Sequence, residues 1–495
     1  MRADAARACL HGLVRLLRDR RGATAAIVAV TLAALIGFTG LGVETGLWYT
    51  IKRYNQSAAD VAAISGAMEK AGGGAYQTDI CALAKYAAKA NGFTVSGSWS
   101  CPTLSPTGAT GITKCTGLTS GEMCVNDPPL FGGFAGLPNY VEVILAQQQG
   151  TFFSLLSLAS PKVKIDARAV AGLKAFSTCM IALNTSGTDL KNNGNATLKL
   201  NQCSFASNST SNKNPCSVVF NGGVTMTAAA ISTAGCAKIT GSSNYISPPI
   251  TTNASAVADP YAGQIVYTLP GAATGNCVTQ ASPQPLLPGL YGTGGCKSNP
   301  PPMSFTGGTT TLCPGIFFLD GDDNQGDALV ISGSGTTVKM GTQGVGGCPG
   351  NGLNGVTFIA TCSTKKCNTG GGFVIGGTGS NTPTVTLSAP TTVDPISCTM
   401  ASPTCIPKQI LFYQPTSTAD TSKGNSILAG GAGVSLNGVS YTPSTQITLQ
   451  GNPTFGSCTE MISGNFVVGG TPTMNAPSNA CGINSQSVST LVLAE

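Results

Sequence analysis

Residues 23–43 read ATAAIVAVTLAALIGFTGLGV, 21 positions with neither a charge nor a proline. A helix rises about 1.5 Å per residue, so this run is long enough to cross the ~30 Å hydrocarbon core of a bilayer. On its N-terminal side lies LVRLLRDRRG, with Arg15, Arg18, Arg20 and Arg21. Leu10, Leu13, Val14 and Leu17 fall at helical spacing there, a basic amphipathic leader suited to the inner membrane surface. On the far side the first charge is Glu44, and the pair Trp48–Tyr49 sits at interfacial depth. Arginines on one flank and aromatics on the other orient the segment with its N-terminus in the cytoplasm. Everything from Glu44 to Glu495 is then external cargo on one hook. The apolar run exceeds the 7–15 residues of a signal-peptide core and lacks an A-x-A site, so it reads as a retained anchor.

The helix is expected to continue beyond the membrane. Residues 48–70, WYTIKRYNQSAADVAAISGAMEK, place Ile51, Ala58, Val61, Ala62 and Met68 on one stripe, and Ala71-Gly72-Gly73-Gly74 ends it. Gly42 and Gly46 form a small-xxx-small pair of the kind that packs against another helix.

Charged residues make up 9% of the chain, far below the ~25% of an ordinary soluble protein. The formal net charge of +6 arises mostly in the leader, whose first 22 residues hold six Arg and two Asp. The external part is close to neutral, which argues against nucleic acid as a partner. No arginine follows Arg168. Cys9 lies in the leader and the other 18 of the 19 cysteines lie outside, an even number in an oxidising compartment, so disulfides are expected in preference to zinc. Cys362 with Cys367, and Cys398 with Cys405, suit small loops.

Residues 20–70 carry a resemblance. Arg20-Arg21-Gly22-Ala23, the apolar span, Gly42-Val-Glu-Thr-Gly-Leu-Trp-Tyr49, Arg53, Gln56 and Ala58-Ala59-Asp60-Val61-Ala62-Ala63 follow one another as in the N-terminal segment of TadG-like Flp (Tad-type, tight adherence) pilus-assembly proteins. Related pseudopilins carry a glutamate five residues after the processing glycine. Here that position is Ile27, which argues against cleavage at Gly22 and against an ordinary filament subunit. The resemblance implies a non-enzymatic accessory protein of the bacterial inner membrane, facing the periplasm, with pseudopilins or other assembly subunits as partners. The residues that would dock are Gly42, Glu44, Gly46, Tyr49, Arg53, Gln56 and Asp60. Glu44 draws notice because a charge at the lipid boundary usually faces a partner or water.

The chain therefore divides into a leader (1–22), a membrane helix (23–43), a pilin-like stem (44–71), a small α+β module (72–175) and a β domain (176–495). In the module a helix is expected over 79–90, stopped by Asn91-Gly92, and strands over 93–96, 140–145 and 163–170, with a helical turn or two over 151–158. The β domain shows at least fourteen short apolar runs of 3–5 residues, among them SVVF (217–220), GIFFL (315–319), VTFIA (356–360), QILFY (409–413) and NFVV (465–468). Asn-Gly turns punctuate them at 221–222, 351–352, 354–355 and 437–438. Short strands with variable loops favour a right-handed parallel β-helix, with a β-sandwich as the alternative. The Pro-Gly-aromatic runs 287–291 and 313–318 resemble rungs of TadG-like proteins. Residues 242–314, rich in proline, read as an excursion between two blocks of coils or as a surface lid.

Catalytic constellations are missing. The one histidine, His11, is in the leader, so no external Ser/His/Asp or Cys/His site exists. There is no P-loop and no Asp-x-Ser-x-Ser metal motif. Asp320, Asp322, Asn324 and Asp327 form an acidic turn that suits Ca²⁺ weakly, since the twelfth position from Asp320 is Ile331 rather than Glu. No cofactor is expected. A rigid, near-neutral β surface rich in Asn, Thr and Tyr suits glycan, cell wall or protein, so a membrane-anchored adhesin is the second reading.

Overall fold

In the computed structural model the chain separates into two compact units, residues 1–174 with 491–495, and residues 175–490. The structure describes residues 20–71, 77–96, 99–100, 115, 117–151, 162–241, 244–267, 269–271, 274, 277–279, 284–292, 301–323, 325–361, 371–376, 382–391, 409–415, 424–431, 433–477, 483 and 486–495.

The first unit is built on one continuous helix, α1 (Arg20–Ala71). Its 52 residues span about 78 Å. Its Ile27–Lys70 stretch contains a span long and apolar enough to cross a membrane. Val30, Ile36 and Phe38 are exposed on it, Phe38 at 76%. Side chains of this size gain nothing from water, so lipid is the medium this half of the helix fits.

The second half of α1 buries an alanine face: Ala58, Ala59, Ala62, Ala63 and Ala67. They pack with Ile80, Ala84 and Ala88 of α2 (Gln77–Ala90) and with Val141, Val143 and Leu145 of the adjoining sheet. Small side chains permit this close approach. At Gly66 an added Cβ would lie 3.1 Å from Val141 Cγ1 and 3.3 Å from Ile80 Cγ2. Helix α2 ends as its sequence foretells: Gly92 takes φ +88°, and Asn91 Nδ2 donates to Ala87 O at 2.9 Å.

The sheet runs β1 (Trp99–Ser100), β2 (Glu122–Asn126), β3 (Tyr140–Gly150) and β4 (Lys162–Ala182). The β1–β2 pair is parallel; β3 pairs antiparallel with β2 and with β4, from Tyr140↔Gly172 to Gly150↔Lys162. Residues 93–96, expected as a strand, are irregular; Phe93 is buried in the α1–α2 core instead. The expected turn at 151–158 lies almost wholly outside the described residues. The segment 491–495, assigned by chain order to the β domain, belongs to the first unit.

The second unit is stacked from parallel strands. Gly315–Asp320 pairs with Val356–Thr361, while the two strands that follow it, Asp327–Ile331 and Thr336–Met340, pair with Gly372–Ile375 and Thr384–Ser388. Each of these three strands thus meets the one three places further along the chain. Identical registers stack identical side chains: Phe317, Phe358 and Phe412 form an internal ladder with ring centroids 5.4 and 5.7 Å apart. All fourteen apolar runs lie in strands. Their expected length of 3–5 residues is exceeded in six places: Gly315–Asp320 and Val356–Thr361 have 6 residues, Leu190–Asn201 and Thr459–Gly470 12, Val434–Gly451 18 and β4 21, the last because its first half pairs with β3 in the first unit.

The order of strands in the stack does not follow the chain. From β4 at Ile181 the stack passes to Ala206 and then to Ser232 and Thr251. On the other side of Ile181 lies Ile462, then Tyr441, Tyr413, Ile359, Phe318 and Leu290. The chain therefore starts mid-stack, builds outward, transfers to the far end and returns to meet its own first strand. At about 4.8 Å per rung the stack is roughly 40 Å long. The transfer is made along its outside. Asn208 and Val257 exchange side-chain-to-backbone hydrogen bonds of 2.8 Å; Tyr441 Oη donates to Asp259 Oδ2 at 2.7 Å; Tyr267 packs on Tyr413 and Phe318, each at 6.0 Å. Part of 242–314 is not an excursion at all, since Tyr245–Ser247, Gly289–Tyr291 and Gly308–Leu312 pair within the stack. The strap proper is the stretch around 254–267.

Four disulfides staple the described residues: Cys115–Cys124, Cys179–Cys203, Cys216–Cys236 and Cys313–Cys348. Cys81, Cys277 and Cys458 are disulfide-bonded as well. The pairs suggested for 362/367 and 398/405 lie outside the described residues.

Candidate docking stem and polar cleft

The seven residues singled out on α1 divide between two faces. Gly42, Gly46, Tyr49 and Arg53 recur at i, i+4, i+7 and i+11, and all four are exposed. An added Cβ at Gly42 or Gly46 would meet nothing within 4 Å. This is one continuous stripe, narrow and flat at its lipid end and aromatic and basic at its outer end.

The other three turn inward. Glu44 is 4% exposed and lies with Gly40, Trp48 and Asn55 on the covered face. Gln56 donates from Nε2 to Asp60 Oδ1 and to Arg168 O of β4, both at 2.8 Å. Lys52 and Asn55 donate to the backbone carbonyls of Asp166 and Ile165. Gln56, also bonded to Asp60, therefore holds the stem to its own sheet. The sequence pattern could not separate the two roles, because docking within the chain and docking with a partner use the same residue types.

Arg168 anchors the same sheet. Its guanidinium pairs with Glu142, which is fully buried, and with Glu495, and it donates to Phe131 O. Asn126 Nδ2 and Leu130 N complete the Glu142 carboxylate at 2.7 and 2.9 Å. The two carboxylates raise the Arg168 pKa against the opposing effect of burial, so it stays cationic.

The acidic turn of the β unit has a local structural use. Asp320 is buried and accepts from Thr361 Oγ1 at 3.1 Å. Asp323 Oδ1 accepts the backbone N–H groups of Gln325 and Asp327 at 2.8 and 2.9 Å, closing the turn. Burial, with Asp323 and Asp322 nearby, pushes the Asp327 carboxyl up to about 7. Asn324 lies outside the described residues. Among the described residues no group of three or more Asp, Glu, His or Cys is placed to hold a metal ion.

Sequence reading gave no hint of a cleft of about 440 Å³ where the first and last coils meet. Asn184, Thr185 and Ser186 come from one side, and Asn425, Ser444, Thr445, Gln446 and Asn465 from the other. Every lining residue is an amide or a hydroxyl. No local motif announces it, because four separate stretches build it.

The fold and stem define a class: a β-rich protein carried on one long helix whose first half suits lipid and whose second half is the spine of a small sheet module. Within that class, residues 22–69 match the model of the Tad family, described as Flp pilus-assembly TadE/G-like. No curated protein and no solved structure matches the chain.

Proposed function

We propose that this is a non-enzymatic accessory protein of Tad/Flp-type pilus assembly, anchored in the inner membrane by α1 and facing the periplasm. The observation that carries this reading is the coincidence of the family match at 22–69 with a helix that is apolar and exposed in one half and built into a module in the other. The orientation follows from the arginines before the span and Trp48–Tyr49 after it. In this reading the Gly42, Gly46, Tyr49, Arg53 stripe receives the helix of a pseudopilin or another assembly subunit, the glycines permitting close contact in lipid. The parallel coils form a β-helix, a rigid body that reaches toward the secretin, filament or wall. Its action is mechanical.

The test is photocrosslinking in native membranes with a photoreactive residue at position 49 or 53. Capture of pilus-assembly or pseudopilin subunits is expected. Recovery of lipid and self-adducts alone, with pili still made in a deletion strain, would sink the reading and put the adhesin in first place.

A further inference from the structure

The polar cleft of the second unit is lined by none of the α1 residues. Four adjacent rungs bring amide side chains to one corner. Asn425 lies beside Gln446, whose backbone N–H donates to Asn425 Oδ1 at 3.0 Å. Gln446 pairs in register with Asn465, whose Nδ2 donates to Gln446 Oε1 at 3.2 Å. Asn184 comes next, its N–H bonded to Gly464 O at 3.1 Å. At about 4.8 Å per rung the row is roughly 14 Å long.

The row is rigid and incompletely used. Gln446 Nε2 also donates to Thr448 Oγ1 at 2.9 Å, so its amide is fixed at both ends. Gly464 shapes the floor: an added Cβ would lie 2.9 Å from both Asn184 Oδ1 and Thr445 O. The side chains of Asn184, Ser186 and Ser444 make no hydrogen bond within the protein among the described residues. Fixed, unspent donors and acceptors bind with little ordering cost.

The lining decides the ligand class. No charged side chain lines the cleft among the described residues, so an anion or cation would lose its hydration without gaining a counter-charge. No aromatic or aliphatic side chain lines it, so an apolar ligand would strand the amides. A chain of hydroxyls, each both donor and acceptor, matches the row. We infer that this cleft binds a neutral oligosaccharide lying along the Asn425–Gln446–Asn465–Asn184 row.

The experiment is calorimetric titration of the full-length protein in nanodiscs with maltotriose, tri-N-acetylchitotriose and, as the acidic control, trigalacturonate. At least one neutral trisaccharide is expected to bind and trigalacturonate to bind at least tenfold more weakly. Asn184→Leu should weaken the neutral ligand at least tenfold with an unchanged unfolding midpoint. If that variant does not fold, the double variant Ser186→Ala/Ser444→Ala replaces it, with a loss of severalfold. Absence of binding by both neutral sugars, equal binding of trigalacturonate, or full affinity in the folded variants would overturn the assignment. The crosslinking outcome at positions 49 and 53 has no bearing on this result.

Discussion

Ile181 and Ile462 lie side by side in parallel register, one in the first coil of the β unit and the other in the last. Met180 meets Met461 and Ala182 meets Ser463 in the same pair of strands. Phe205 and Phe466 contact edge to face nearby, with ring centroids 6.4 Å apart. The stack is completed only when the end of this unit returns to its beginning.

This junction should therefore dominate stability. Phe466 is fully buried, and Phe466→Ala is expected to cost about 3–5 kcal/mol, read from the denaturant midpoint. A double-mutant cycle with Phe205→Ala should show coupling of about 0.5–1.5 kcal/mol beyond additivity. Strict additivity would mean the two blocks are held elsewhere.

The junction also holds acids that prefer to be neutral. Burial pushes the Glu460 carboxyl up to about 8, with one hydrogen bond from Thr178 Oγ1 opposing it. Burial pushes Asp189 up to about 7 despite its bond from Ser207 Oγ. Folded-state values above the unfolded ones mean that the native state holds more protons between about pH 4 and 8. Stability is then greatest in acid and falls as pH rises through that window, by up to about 1.4 kcal/mol per pH unit per group. Glu460→Gln should flatten the dependence between pH 5 and 8. An unchanged slope in urea titrations across that range would refute the assignment.

In the first unit, Arg168 compensates a carboxylate that has no access to water. Arg168→Met should cost about 3 kcal/mol, since the buried Glu142 side chain loses its cationic partner while Arg168 itself keeps partial exposure. Glu495→Gln, at the solvent side of the same guanidinium, should change the thermal midpoint much less. Equal effects would show that the clamp to Glu495, rather than the buried pair, holds the sheet.

The glycines of α1 separate folding from docking. Gly66→Leu should destabilise the first unit by about 1–3 kcal/mol, because Val141 and Ile80 already stand at contact distance. Gly42→Leu and Gly46→Leu should leave the unfolding midpoint unchanged, since nothing lies near them, yet abolish crosslinks from positions 49 and 53. Retained crosslinks in these variants would remove the helix-packing model.

Much of this was legible because it is local. The uncharged run 23–43, the helical continuation past it and the glycine stop after Asn91 each follow from a few neighbouring residues. So do the fourteen strand runs, each a few apolar residues between turn formers. Of the stripe read as Ile51, Ala58, Val61, Ala62 and Met68, however, only Ala58 and Ala62 are fully buried and Met68 is exposed, the close-packed face being alanine. The misreadings share another origin. Gln56 read as a docking residue because the strand that receives it is contributed by residues more than a hundred positions away. The stretch 242–314 looked like an interruption because its partners lie in strands before and after it.

Local residues suffice for one lipid-suited helix, its helical continuation, an oxidised β-rich body and the Tad-like character of residues 20–70, since hydrophobic period, charge flanks and turn residues act over a few positions. Folding in three dimensions was needed to show which α1 face is free, that the first strand of the stack is joined by the late strand Thr459–Gly470, that the stretch around 254–267 is an external strap, and that amides from distant stretches share one cleft. Parallel strand pairing joins segments without regard to their distance along the chain, and a short apolar strand carries no record of which neighbour it will stack upon.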